Sequence, residues 1–204
     1  TSLMCWPLWP MQIPHLLVKN GRSKQSSGSA RSLARGGVPS RAGAQLGDIL
    51  YVTGTLGDAL AGFELIDAGF DEVGALADAF NRPQARLAEG QKLAPFVHAM
   101  MDISDGLLID AERMATASRL GIEIDLACIP LSPAYVSYRT DSLESRMQAA
   151  SWGDDYELLF CAPPSAGIAV DATAVGRVIA GGGLTLCNGD APVKLPPTLG
   201  YQHH

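Results

Sequence analysis

The chain has 204 residues, of which 47% are hydrophobic and 18% charged, with a formal net charge of −6 and a mean hydropathy of +0.12. That length holds one substantial core and excludes two full domains of ordinary size. The acidic balance disfavours nucleic acid or an anionic membrane surface as partner and suits a site that recruits cations, and no window reaches the roughly 18 to 20 apolar residues of a membrane span.

Residues 1–36 carry five basic residues (Lys19, Arg22, Lys24, Arg31, Arg35) and no Asp or Glu, so the remaining 168 residues hold −11 of formal charge. Pro7, Pro10 and Pro14 interrupt the apolar opening and no basic segment precedes it, so a secretion signal is not expected. Gly21 to Gly37 is a Gly/Ser/Arg run without hydrophobic periodicity, which reads as a disordered or non-native leader. The alternative is a basic arm for an acidic partner. The folded unit is expected over 37–204.

Ile49 to Thr53 is a short β-branched apolar run closed by Gly54, the pattern of a buried strand. Gly57-Asp58 opens a helix with Leu60, Phe63 and Ile66 on one face and Gly69 as its C-terminal stop. A second helix is predicted over Glu72 to Phe80, halted at Asn81-Arg82-Pro83. Val97 to Ile103 reads as a strand that hands over directly to a helix carrying Leu107 or Leu108, Ala111, Met114 or Ala115, and Ser118 inward, ending at Gly121. Ile122, Ile124 and Leu126 alternate with Glu123 and Asp125, a strand with one wet face, ended by Pro130 and Pro133. Tyr156 to Cys161 is a further strand, and Ala174 to Ile179 with Leu184 to Cys187 reads as a hairpin across Gly181-Gly182-Gly183. The interleaving predicts an α/β or α+β domain with helices on a mixed sheet.

Two acidic clusters could carry chemistry. In Asp102-Ile103-Ser104-Asp105-Gly106, two carboxylates and a hydroxyl stand where a strand meets a helix N-terminus, whose free N–H groups favour oxyanions. Mg²⁺ placed between such carboxylates and a phosphate would reconcile like charges; equally, Ser104 or Asp105 could be a helix N-cap. Gly153-Asp154-Asp155-Tyr156-Glu157 leads into a strand and reads either as a cation or cationic-substrate site or as a solvated turn. No GxxxxGK[ST] phosphate loop and no G-x-S-x-G elbow is present. His15, His98, His203 and His204 form no ligand spacing, and His98 in its apolar run reads as a bonded core histidine. Cys5, Cys128, Cys161 and Cys187 show no CxxC pairing and read as reduced thiols.

Taken in order, Arg41 to Asp48, Tyr51 to Ala59, Arg82-Pro83, Asp102 to Leu107, Ile124 to Leu126 with Pro130 to Pro133, Gly153 to Leu159 and the closing Gly200-Tyr201-Gln202-His203 resemble the C-terminal domain of the thiamine-monophosphate kinases. These belong to the superfamily of aminoimidazole ribonucleotide synthetase. The resemblance implies Mg²⁺-dependent transfer of the ATP γ-phosphoryl group to thiamine monophosphate in the cytoplasm, giving thiamine diphosphate with no covalent enzyme intermediate. It implies Asp102 and Asp105 as Mg²⁺ ligands, Ser104 and Arg41 as ATP contacts, and Glu157 and Tyr201 as substrate contacts.

The family places most of its metal-binding aspartates and its homodimer surface in a preceding domain, where this chain has only 1–36. The expectation is a chain inactive by itself. Trp152, where the family has glycine, and the Gln202-His203-His204 ending are departures that bear on substrate binding. Two other readings stay open: a non-catalytic remnant that binds thiamine phosphates, and another enzyme of the same superfamily, against which Glu157 in its Gly-Asp-Asp-Tyr setting and the terminal Gly-Tyr speak.

Overall fold

The computed structural model describes residues 39–70 and 74–201; the leader expected over 1–36 lies outside the described residues. Among the described residues seven strands form one sheet: β1 (Ile49–Thr53), β2 (Ala99–Asp102), β3 (Gly121–Asp125), β4 (Leu158–Ala162), β5 (Ala172–Ile179), β6 (Gly183–Asn188) and β7 (Ala191–Val193), in the order β2-β4-β1-β5-β3-β6-β7. All pairings are antiparallel except β3 with β6. Among the described residues six α-helices accompany the sheet: α1 (Asp58–Asp67), α2 (Ala75–Asn81), α3 (Leu87–Leu93), α4 (Leu107–Ser118), α5 (Pro133–Arg139) and α6 (Leu143–Ser151). This is the expected α+β architecture of helices on a mixed sheet.

Strand periodicity divides the core between the two sheet faces. Leu50 and Val52 of β1, Ala99 of β2, and Leu159 and Cys161 of β4 join the larger cluster with α4, while Tyr51, Met100, Phe160 and Ala162 turn to a smaller one containing Leu93 of α3. The rings of Tyr51 and Phe160 stack at 5.2 Å across β1 and β4. Helix α4 packs on β2, β3, β4 and β6 and buries Leu107, Leu108 and Met114 completely; each large side chain contributes about 1.5–3 kcal/mol by leaving water. Its N-terminus is thereby fixed at the C-terminal end of β2, beside the sheet edge.

Several expectations are corrected. The hairpin of Ala174 to Ile179 with Leu184 to Cys187 does not form: β3 lies between β5 and β6, antiparallel to the first and parallel to the second. Asp125, expected on a wet face, is buried and accepts hydrogen bonds from the Ala127 and Gly189 N–H groups. α4 ends at Ser118, capped by Arg119 in the left-handed region at φ 58°, and Gly121 starts β3 instead. On α1 the buried residues are Ala59 to Gly62, while Phe63 sits at the surface. Gly62 lets α2 approach, since a Cβ there would meet the Leu76 carbonyl oxygen at 2.1 Å. α2 starts at Ala75, and residues 72 and 73 of the helix expected from Glu72 lie outside the described residues. Helices α3, α5 and α6 were not expected; α5 is capped by Ser132 with Pro133 in its first turn, and α6 by Ser142 with Ser145.

Candidate active site

Three segments converge at the junction of β2 and α4. The turn 102–106 leaves β2, the turn 152–157 enters β4, and Gly200-Tyr201 returns along the outside. Backbone hydrogen bonds stitch the first two together: Asp154 N–H to the Ser104 carbonyl at 3.0 Å, Tyr156 N–H to the Ile103 carbonyl at 3.0 Å, and Ile103 N–H to the Glu157 carbonyl at 2.8 Å. Tyr201 N–H donates to the Asp105 carbonyl at 2.9 Å. Glycine is required at two of these crossings, because a Cβ at Gly153 would lie 2.3 Å from the Ser104 oxygen and one at Gly200 2.4 Å from the Asp105 oxygen. Asp154 and Tyr156 adopt positive φ of 66° and 51°, a conformation that persists in non-glycine residues only where surrounding bonds hold it.

The convergence encloses a cavity of about 570 Å³ lined by Ser104, Asp105, Trp152, Asp154, Tyr156 and Tyr201, with Ser151, Gly153, Thr198 and Gly200 completing it. It offers three aromatic side chains, two carboxylates and hydroxyls, a combination suited to a polar ligand with a cationic aromatic ring. Trp152 is held from behind by Phe63, whose ring stacks on it at 5.5 Å. Trp152 forms one wall of the cavity and leaves it open.

The expected site residues do not all meet here. Ser104, Asp105 and Tyr201 line the main cavity. Asp102, exposed at the end of β2, instead borders a neighbouring apolar cavity of about 540 Å³ with Arg86, Met100, Leu158 and Tyr156; Tyr156 lines both. Arg41 borders a shallower cavity of about 390 Å³ together with Glu112 and Arg113. Glu157 lies apart from Tyr201. It is buried, its carboxylate accepts from Thr53 Oγ1 at 2.6 Å and from Arg86 Nε and Nη2 at 2.7 and 2.6 Å, and it borders a third cavity with Thr55, Asp58 and Asp155. The acidic residue of the second motif that reaches the main cavity is Asp154.

Sequence reasoning missed the groups that hold these turns. Asp110, fully buried in α4, accepts the Ser104 and Asp105 N–H groups on Oδ2 at 3.0 and 3.1 Å, and Arg113 Nη1 on Oδ1 at 2.7 Å. The same Arg113 nitrogen lies 2.5 Å from Asp105 Oδ2. Burial raises the Asp110 pKa above the usual carboxylate range, against the pull of these bonds. Asp155 accepts the Gly57 N–H at 3.0 Å and caps α1; burial raises its pKa well above the ordinary value. An acid in the first turn of a helix that follows a polar turn was the available signal for Asp110.

The donors near the junction are all oxygens, which suits a hard cation such as Mg²⁺. Asp102 is exposed and its carboxylate makes no hydrogen bond or ion pair with another described residue, whereas Asp105 is engaged by Arg113. Among the described residues no three His, Cys, Asp or Glu side chains form a metal cage. One or two carboxylates are what Mg²⁺ uses when phosphates and water complete its shell, so the set fits a nucleotide-borne cation. His98 is bonded as expected, through Nδ1 to buried Asp48 at 2.9 Å. No helix among the described residues is long and apolar enough to cross a membrane.

The sequence matches the family described as AIR synthase related protein, C-terminal domain, over residues 45–186. The thiamine-monophosphate kinase of Rhodopirellula baltica is 38% identical over 152 residues, covering 71% of this chain and 44% of the relative. Among solved structures, thiamine-monophosphate kinase from Stenotrophomonas maltophilia K279a superposes with a TM-score of 0.68 at 32% identity, over 75% of this chain and 54% of that one. A structure described as AaThiL complexed with AMPPCP and TMP superposes with a TM-score of 0.66 at 35% identity, over 74% of this chain and 52% of that one. The chain thus spans about half the length of the relatives it matches. From the matched residues 45–186 and the shared fold, the chain belongs to the AIR synthase related family, in which it carries the C-terminal domain and is similar to the thiamine-monophosphate kinases.

Proposed function

We propose that this chain supplies the C-terminal half of a thiamine-monophosphate kinase site, which transfers the ATP γ-phosphoryl group to thiamine monophosphate. The observation that carries the reading is the joining of both acidic turns and Tyr201 around one aromatic and acidic cavity at the N-terminus of α4. Phosphoryl transfer asks a protein chiefly to position two anions and to neutralise charge. In this reading Ser104, at the helix entrance, contacts ATP, and Arg41 reaches its phosphates from the neighbouring cavity, where a guanidinium suits phosphate oxygens. Asp102 and Asp105 would hold Mg²⁺, Asp105 with the oxygen that here meets Arg113. The ion, when bound, would offset the negative charge of the phosphates.

The aromatic rings of Tyr201 and Trp152 face the cationic heterocycle of thiamine monophosphate, with Asp154 supplying a compensating charge. Glu157 contributes from behind, by fixing Thr53 and Arg86 beside the same turn. The protein works in the cytoplasm as part of a homodimer, without nucleic acid or membrane.

The test is formation of ADP dependent on both Mg²⁺ and thiamine monophosphate, run beside calorimetric binding of each ligand. Binding of nucleotide and thiamine monophosphate is expected, with turnover only when the other half of the site is supplied in trans. Failure of the chain to bind either ligand would reject the reading. Binding without turnover in every arrangement would favour the remnant.

A further inference from the structure

Arg113 stands between two carboxylates of different standing. Asp110 is fully buried on α4 and spends one oxygen, Oδ2, on the Ser104 and Asp105 N–H groups and the other, Oδ1, on Arg113. Asp105 meets the same Nη1 atom from the cavity side at 2.5 Å. The backbone of the turn and the charge beside Asp105 are therefore controlled by the two oxygens of one buried side chain. We propose that Asp110 and Arg113 are positioning residues that set the cation affinity of Asp105: Asp110 holds the turn and draws the guanidinium to itself, and Arg113 shields Asp105 until a cation replaces it. This rests on the reading of Asp105 as a Mg²⁺ ligand.

The two oxygens make the roles separable. In Asp110→Asn the amide oxygen keeps both backbone N–H bonds, while its NH₂ group faces Arg113 and drives the guanidinium onto Asp105. Cation binding must then displace a tighter partner. In Arg113→Gln the positive charge beside Asp105 disappears, and the cation meets less competition. A residue that matters only to folding would weaken binding in both variants; a hub that tunes Asp105 moves them in opposite directions.

The experiment titrates Mn²⁺, standing in for Mg²⁺, into AMPPCP with and without the whole chain and reads by electron paramagnetic resonance the uptake beyond that of the nucleotide alone, with melting temperatures recorded alongside. Half-saturating Mn²⁺ is expected to rise about two- to fivefold in Asp110→Asn and to fall by about the same factor in Arg113→Gln, the size of a partly exposed ion-pair coupling. If Asp110→Asn does not fold, the fall in Arg113→Gln alone decides. Shifts of the same sign, or none, in a wild-type chain that binds would overturn the hub and leave the nucleotide reading intact. A wild-type chain that takes up no Mn²⁺ with AMPPCP would overturn both.

Discussion

Replacing Arg86 by Met should destabilise the fold by about 3 kcal/mol, and replacing Glu157 by Gln at the same time should restore most of it. Glu157 is 6% exposed and accepts two bonds from the Arg86 guanidinium and one from Thr53 Oγ1. Charge-assisted bonds contribute about 1.5–3 kcal/mol each, and a buried charge stripped of its partner costs roughly 3–5 kcal/mol. The figure belongs at the lower end because the Arg86 side chain is 27% exposed and Glu157 borders a cavity through which water can reach it. For a domain of this size about 3 kcal/mol lowers the melting temperature by roughly 6–12 °C. Glu157→Gln alone should cost only about 1 kcal/mol, since Arg86 can turn to water and to Glu89. Urea denaturation followed by circular dichroism measures all four members of the cycle. A loss below about 1 kcal/mol in Arg86→Met, or no recovery in the double variant, would refute the view that Arg86 compensates a buried charge.

Gly153→Ala should cost roughly 1–3 kcal/mol, because its Cβ would stand 2.3 Å from the Ser104 oxygen, and it should weaken thiamine monophosphate binding by displacing Asp154; calorimetry and thermal melting report both. Asp155→Asn should gain on the wild type as pH rises. The Asp155 carboxyl has a raised folded-state pKa, so its proton stabilises the fold below about pH 4 and that contribution is lost as pH climbs through the folded value. Melting temperatures between pH 4 and 7 test this, and a constant difference would refute it. Alkylation at neutral pH followed by peptide mass mapping should leave Cys161 of the native chain unmodified and Cys187, which is half-buried, slow to react, since burial pushes the Cys161 thiol far up and that of Cys187 to about 11. Labelling of Cys161 before unfolding would contradict its burial.

The parts legible in the sequence are those written locally. β1 occupies the predicted Ile49 to Thr53, and the strand-to-helix junction at Asp102 to Gly106 stands where polar residues interrupt two apolar periods. What could not be read is non-local. Nothing near Ala174 or Leu184 says that a strand from residues 121–125 will part them, because strand order depends on distant pairing. Glu157 and Thr53 meet across 104 residues, and that bond, with Arg86, draws Glu157 away from the cavity its motif suggested. α5 is hidden for a different reason: Pro133 reads as the end of a strand, yet proline after a capping serine equally starts a helix.

The place of β1 in the sheet bears on how the chain folds. Its partners, β4 and β5, are synthesised more than a hundred residues after it, so during translation β1 emerges with both edges unpaired and its apolar side chains uncovered. Closing loops of that length is slow relative to local helix formation. The cavity, whose second wall is the turn entering β4, therefore cannot exist on a nascent chain until that strand has left the ribosome. Ligand binding would then report completed folding, and a chain stopped before residue 158 would present an open sheet edge to aggregation or to a chaperone.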